Sequence, residues 1–430
     1  MTIEQLYEVY LRHPSIQTDT RQLRQGDLFF ALKGPNFNGN LFAAKALELG
    51  AAYVVLDETP PALEIPPYAA DRLILVPDVL TTLQDLALHH RRRFAIPFIA
   101  ITGSNGKTTT KELIHTVLSS TFTTYTTKGN LNNHIGVPLT ILSVRPDAQF
   151  AVIEMGANHQ KEIESYCAYT LPTHGIITNI GKAHLEGFGG PEGVKKGKGE
   201  LYDWLRVHDG TAFALTDSPD LPSMSHGIPH VITYGTKGAD YVGTALPSDD
   251  SFLHVKMDGV TIHTQLVGDY NLPNVLVAFA VGKHFGVPDD RIRQSIETYT
   301  PINSRSQLIE KDGLHIILDA YNANPSSMRA AIENFSRFPG EKTLILGAMA
   351  ELGPESLEEH RAIVELIGRF PWRHVVLVGG DFQRLDHPYT GFDNSKEAAE
   401  WLRNAGLANS YLLIKGSRAQ KMEAVLDQKT

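Results

Sequence analysis

Eight residues, Gly103-Ser-Asn-Gly-Lys-Thr-Thr-Thr110, place two glycines, a lysine and three threonines between an apolar run, Ile96–Ile101, and a helical pattern, Lys111–Leu118. A strand that ends in a glycine turn and opens a helix is a phosphate cradle. Backbone N–H groups and the helix dipole face the anion, Lys107 reaches the β/γ-phosphates and Thr108 holds Mg²⁺. Gly103, Ser104, Asn105, Gly106 and Thr109 complete the turn. The common form of this loop carries a glycine five residues before the Gly-Lys pair; here Ile101 stands there. The pattern points to a user of nucleoside triphosphates.

Polar residues recur where later apolar runs end. Glu154 closes Phe150–Met155, where a carboxylate binds Mg²⁺ or orients water, or is simply solvated. His184 lies in Asn179-Ile-Gly-Lys-Ala-His184, a position open to a structural or a metal-binding role. Lys195, Lys196 and Lys198 fit a solvated basic face or a set of phosphate partners equally well. Asn271 and Asn274 share one helical face, which suits a purine edge or a helix cap. In the last third, Asp319, Tyr321, Asn322 and Asn324 follow one buried strand, where Asp and Asn can address ribose and base. Lys415 and Ser417 follow another and suit a carboxylate; both stretches also read as plain turns.

Elements of an α/β protein must position these groups. The chain has 430 residues, 42% apolar and 20% charged, which implies a globular protein of two to four domains. A net charge of −9, from 39 basic and 48 acidic residues, argues against nucleic acid as partner. The single cysteine, Cys167, excludes an internal disulfide framework and fits a reducing compartment. The N-terminus lacks a signal pattern and no apolar run approaches membrane-spanning length, so a cytoplasmic protein is expected.

Three blocks are expected, at 1–80, 81–300 and 301–430. The first holds short strands (28–32, 53–56, 73–76), a helix over 41–49 and a proline-rich loop over 59–67. The second has a helix over 81–94, parallel strands at 150–155 and 175–180, and antiparallel hairpins within 211–267. Helices then follow over 272–285 and 289–298. The third alternates strands (315–318, 342–346, 374–378, 411–414) with helices, a doubly wound, Rossmann-like pattern.

In this order the segments resemble the Mur ligase family, the ATP-dependent amino-acid-adding enzymes of peptidoglycan synthesis. The likeness runs from Asp19 to Met422, and the shortened loop is that family's form. Three stretches, Lys128–Thr140, Glu154–His159 and Tyr321–Met328, are similar to members that add a D-alanyl-D-alanine dipeptide to a UDP-muramoyl-tripeptide. The resemblance implies a small α/β substrate domain, a central P-loop domain with a parallel and a small antiparallel sheet, and a C-terminal Rossmann-like domain. It implies ATP, two Mg²⁺ ions, and a soluble monomer.

The same resemblance assigns roles by position. Lys107, His184 and Lys198 would be catalytic; Thr108, Glu154, His184 and Lys198, the last as a carbamate, would hold metal. Asn271, Asn274, Arg305, Asp319 and Asn322 would meet the nucleotide. Thr20, Arg21, Lys128, Asn132 and Asn133 would receive the UDP substrate, and Tyr321, Asn324, Lys415 and Ser417 the dipeptide. Ala348, His134 and Asn40 depart from the family's usual aspartate, glutamate and histidine. The rival expectations are a sibling ligase adding diaminopimelate or lysine, a folylpolyglutamate synthetase, and a P-loop NTPase without ligase activity.

Overall fold

A computed structural model describes residues 1–59, 71–248, 251–302 and 304–426. From residue 60 on, the expected proline-rich loop lies outside these. The described residues form two compact units. The first comprises 1–100, 122–156 and 162–174, and the second 101–121, 157–161 and 175 onward.

The first unit contains a four-stranded parallel sheet in the order Ile16–Gln17, Leu28–Phe30, Tyr53–Leu56, Leu73–Leu75. Phe29, Ala31, Val54 and Leu56 meet Ala43, Ala46 and Leu47 of the helix Ala43–Glu48 in a small core. A helix that the sequence pattern did not single out, Ile3–Arg12, begins with a capping box between Thr2 and Gln5. The first unit also holds the start of Phe98–Thr102, with Phe150–Glu154 and Thr124–Thr126 beside it. The first two are buried at every residue, as expected of strands covered on both faces.

The helix Val79–Arg91 starts at the Asp78 cap. It ends on Arg91, whose guanidinium donates to the carbonyls of Thr170 (2.7 Å), Phe94 (2.8 Å) and Leu171 (2.9 Å). The same group lies 3.8 Å from the centre of the Phe98 ring, and burial lowers its pKa to about 10.

In the second unit the end of Phe98–Thr102 lies beside His174–Ile177, with Thr178 N–H donating to Thr102 O at 2.9 Å. The sheet continues through Thr211–Leu215, His230–Gly235, Tyr241–Leu246, Phe252–Met257 and Val260–Val267. Phe252–Met257 pairs antiparallel with both Tyr241–Leu246 and Val260–Val267. Thr211–Leu215 pairs in parallel with His230–Gly235, which pairs in parallel with the start of Tyr241–Leu246. The expected hairpin of Phe252–Met257 and Val260–Leu266 is present, whereas the stretch from 211 to 235 pairs in parallel, which corrects that part of the expectation. Half-buried alternation identifies strands without fixing their direction.

The C-terminal part of this unit is a six-stranded sheet in the order Gln307–Lys311, Leu314–Asp319, Tyr411–Lys415, Lys342–Gly347, His374–Val378, Thr390–Phe392. Its first pair is antiparallel and the rest are parallel. Asp319, Gly347 and Lys415 stand at strand C-termini, where open α/β sheets bind ligands.

Candidate active site

The glycine loop lies wholly in the second unit. Gly103 and Gly106 have φ of +139° and +78°, and Gly106 is the left-handed N-cap of the helix Lys107–Ser119. That helix begins four residues before the expected Lys111. Its polar first turn carries no apolar period and is set by the loop. A Cβ on Gly103 would lie 2.0 Å from Thr178 Oγ1, so the backbone approaches as only glycine allows. Lys107 folds over the loop and donates to Gly103 O (2.6 Å) and Ser104 O (3.3 Å). Thr108 is buried in the helix's first turn.

The segment after His174–Ile177 forms the loop's wall. Asn179 O accepts from Ser104 N–H at 3.0 Å and Asn179 Oδ1 from Asn105 N–H at 3.0 Å. Thr178 Oγ1 donates to Asn105 O at 2.6 Å, and Ser104 Oγ to Gly181 O at 3.0 Å. Sequence reasoning gave Thr178 no role. Its signal was its place directly after a buried strand.

Behind the loop, Thr110 Oγ1 donates to Asn274 Oδ1 (3.1 Å), Asn274 Nδ2 to Asn271 Oδ1 (2.9 Å), and Asn271 Nδ2 to Val267 O (2.9 Å). Both asparagines are buried. Asn271 occupies an N-cap position, but its side chain does not cap the helix Leu272–His284. Asn274 Oδ1 lies 2.7 Å from where a Cβ on Gly106 would stand. The pair thus braces the loop helix against the end of Val260–Val267.

The lysine cluster divides by environment. Lys195 pairs with Asp220 at 2.6 Å and Lys196 is exposed. Lys198 is 1% exposed, donates to Ala157 O at 2.9 Å and lies 4.8 Å from the centre of the Phe188 ring. A Cβ on Gly197 would lie 2.4 Å from the Phe188 ring, so the glycine admits that ring against the helix.

Loops of the C-terminal sheet reach the loop's wall. Asn324 caps the helix Pro325–Ser336 and donates to Asn105 Oδ1 at 2.7 Å. Ser326 Oγ accepts from Lys182 N–H at 3.0 Å, Glu359 pairs with the Lys182 ammonium, and Glu351 meets His184 Nδ1. The close approach of the His184 ring holds the Glu351 carboxyl below the usual range. Glu351, Glu359 and Lys182 carried no local signal, because what singles them out is contact between distant segments.

At the strand ends, the carboxylate that Lys415 holds is Asp319's own; Lys415 also donates to Asn322 O at 3.3 Å. Asp319 in turn accepts from Ser306 N–H at 3.1 Å. Ser417 is buried and donates to Ala348 O at 2.6 Å. The Arg305 guanidinium lies 3.6 Å from the centre of the Tyr321 ring, a stacked pair.

In the first unit, Glu154 is buried at the end of its strand and accepts from Asn132 Nδ2 at 2.7 Å. Asn133 Oδ1 accepts from the N–H groups of Ile135 and Gly136, while Lys128 is exposed. Arg21 is exposed and forks onto Asp19 at 2.9 and 2.6 Å, holding that carboxyl down to about 2. Thr20 is half-buried beside it. Asn40 is fully buried and bonded to Asn38 and Asp57, so a turn-forming amide occupies the position of the family's histidine.

Among the described residues no three His, Cys, Asp or Glu side chains gather as a metal cage. Mg²⁺ usually keeps several waters and binds one or two protein oxygens plus substrate phosphates, and a hydroxyl in the first turn of the loop helix, Thr108, is of that kind.

Three family models match in sequence: the Mur ligase catalytic domain over 14–91, the Mur ligase middle domain over 101–282, and the Mur ligase glutamate ligase domain over 304–418. The UDP-N-acetylmuramoyl-tripeptide–D-alanyl-D-alanine ligase of Bacillus subtilis (strain 168) is 34% identical over 98% of this chain and 93% of its own. The chain belongs to the Mur ligase family. Among solved Mur ligases, MurF from Acinetobacter baumannii is 30% identical, with a TM-score of 0.87 over 99% of this chain and 97% of that one. MurF ligase from Thermotoga maritima, solved in complex with ADP, is 28% identical, with a TM-score of 0.85 over 97% of each chain. The Mur ligase architecture expected from the sequence, with its P-loop and Rossmann-like parts, is that of these structures.

Proposed function

We propose that this Mur ligase joins D-alanyl-D-alanine to UDP-N-acetylmuramoyl-tripeptide with hydrolysis of ATP to ADP, in the assembly of a peptidoglycan precursor. The observation that carries this reading is the glycine loop: Lys107 folds over it, and its wall is bonded to the C-terminal sheet. Likeness along the whole chain to ligases of that name supports the choice of substrates.

The tripeptide's terminal carboxylate, already ionised at neutral pH, attacks the γ-phosphorus, and ADP leaves. The dipeptide's neutral amine then attacks the carbonyl carbon of the acyl phosphate. Inorganic phosphate leaves, and the amine's proton passes to solvent or buffer. Such phosphoryl transfer depends on positioning and charge neutralisation. Lys107 exchanges its carbonyl partners for phosphate oxygens, and the amides of Gly103–Thr108 meet the same anion. Contact between the loop's wall and the C-terminal sheet excludes water from the acyl phosphate.

Two Mg²⁺ ions would be held by Thr108, Glu154, His184 and a carbamoylated Lys198, and supply positive charge beside the transferring phosphate. Asn271, Asn274, Arg305, Asp319 and Asn322 are assigned to the nucleotide, the asparagines also acting as the brace behind the loop. Thr20, Arg21, Lys128, Asn132 and Asn133 are assigned to the UDP substrate. Tyr321 and Asn324 are assigned to the dipeptide, with Lys415 and Ser417 acting from beneath. The working domains are 1–80, 81–300 and 301–430, and the enzyme acts as a cytoplasmic monomer. No helix among the described residues is long and apolar enough to cross a membrane.

The test is phosphate release from ATP with UDP-muramoyl-tripeptide, comparing D-alanyl-D-alanine with single amino acids and with folate plus glutamate. Release only with the dipeptide is expected. Release that needs only a single amino acid, or no acceptor, would overturn the assignment.

A further inference from the structure

Asn105 of the glycine loop is bonded at both of its backbone polar atoms. Its N–H donates to Asn179 Oδ1 at 3.0 Å, and its carbonyl accepts from Thr178 Oγ1 at 2.6 Å and Asn179 Nδ2 at 3.0 Å. With the backbone so held, the side chain decides what the residue presents. One atom of that side chain is taken: Oδ1 accepts from Asn324 Nδ2 at 2.7 Å.

The sense of both amides follows from the network. Asn324 Oδ1 accepts from Ser327 N–H at 2.9 Å in the capping box of Pro325–Ser336. A backbone N–H only donates, so the capping atom is oxygen and the atom turned to Asn105 is nitrogen. That nitrogen also only donates, so Asn105 meets it with its carbonyl oxygen. Asn324 is buried, which keeps water from competing for the contact. Asn105 Nδ2 is the group left over. It has no acceptor among the described residues, and Asn105 is only half-buried, so the N–H₂ group stays within reach of a ligand.

A two-proton donor on a phosphate loop suits an anionic oxygen. The γ-phosphate becomes the group that the dipeptide displaces, and Asn105 lies where the loop meets the segment carrying Tyr321. We propose that Asn105 Nδ2 donates to the γ-phosphate and to the phosphoryl group in transfer, with Asn324 as the positioning residue that holds the amide in this sense. The inference rests on the reading of the loop as the ATP site of a ligase and deepens it, since Asn324 then acts through Asn105. A reversed amide would set a carbonyl oxygen against the same anion.

The experiment titrates the full chain with ADP and with the β,γ-methylene analogue of ATP, both with Mg²⁺, by calorimetry. Wild type is compared with Asn105→Ala, Asn324→Ser, Asn324→Asp and Glu359→Gln. Asn105→Ala should bind the analogue about 10- to 100-fold more weakly, the loss of a hydrogen bond to a charged group, and ADP within about threefold of wild type. Serine and aspartate both cap a helix as asparagine does, so neither Asn324 variant disturbs Pro325–Ser336. Asn324→Ser is too short to reach Asn105 and should show part of the loss, but none in the Asn105→Ala background. Asn324→Asp offers Asn105 an acceptor, which turns the amide over, and should lose at least as much as Asn105→Ala. Glu359→Gln breaks the neighbouring ion pair with Lys182 and should keep analogue affinity within about threefold, which separates orientation from docking. In ATP-dependent phosphate release with both substrates, kcat of Asn105→Ala should fall by about 100-fold, as for other donors to a developing anion.

Equal losses for ADP and the analogue, or no loss for either, would refute the γ-phosphate contact. If Asn105→Ala behaves as expected and both Asn324 variants match wild type, the positioning role is refuted while the contact stands. If wild type releases no phosphate with the dipeptide, the ligase reading fails, and the two titrations still decide the contact. The Asn324 variants keep the test decisive should Asn105→Ala fail to fold.

Discussion

Replacing Gly103 with alanine tests whether the loop works by close backbone approach. Alanine at φ +139° is strained by about 1–3 kcal/mol. The new methyl would lie 2.0 Å from Thr178 Oγ1, 3.0 Å from Thr178 N and 3.1 Å from Asn179 N. Thr178 cannot turn away freely, because its hydroxyl donates to Asn105 O at 2.6 Å; losing that bond costs about 0.5–1.5 kcal/mol. The sum, about 1.5–4.5 kcal/mol, falls on the conformation that faces the phosphates. At about 1.4 kcal/mol per decade, nucleotide affinity should drop by roughly 10- to 1,600-fold. Isothermal titration with ADP and Mg²⁺ reads this directly. Gly238→Ala serves as control, since it shares a positive φ of 60° but has open space around the added carbon. It should leave ADP affinity unchanged. A Gly103→Ala protein that binds ADP within threefold of wild type would refute the close-approach argument.

Other outcomes follow from the same geometry. Lys107→Met should abolish ATP-dependent phosphate release while the thermal transition stays near wild type, as seen by calorimetry. Arg91→Met should destabilise the first unit by about 3–5 kcal/mol in urea titration, because three carbonyls, that of Thr170 buried, lose a charged donor. Lys415→Met should destabilise the fold by a similar amount, about 3–5 kcal/mol, by leaving Asp319 without its cation; Asp319→Asn added to it should restore part of the loss in a double-mutant cycle. Asn274→Ala removes the acceptor of Thr110 and the donor to Asn271. It should raise the KM for ATP several-fold and cost about 1–3 kcal/mol of stability.

The parts of the site legible in the sequence were those whose chemistry is local. Gly103–Thr110 announces itself because glycine, lysine and threonine sit between a β-run and a helical period. The strands at 150–154 and 411–415 carry continuous apolar runs up to a charged last residue, Glu154 and Lys415, as burial on both faces requires. Strand direction over 211–246 was not legible, since neither the buried run of Thr211–Leu215 nor the mixed pattern of Tyr241–Leu246 encodes which way its neighbour runs. Glu351 was hidden for a different reason: it meets His184 from a distant segment, and neither segment's local pattern encodes the meeting. The three lysines near 195–198 show the same limit, because burial alone separates Lys198 from Lys195 and Lys196.

The central claim is best tested by mass spectrometry of the reaction product. Purified protein with ATP, Mg²⁺, UDP-N-acetylmuramoyl-tripeptide and D-alanyl-D-alanine should yield the UDP-muramoyl-pentapeptide, with one ADP released per amide bond formed. ADP formed without a pentapeptide, or a tetrapeptide product from a single amino acid in place of the dipeptide, would contradict it.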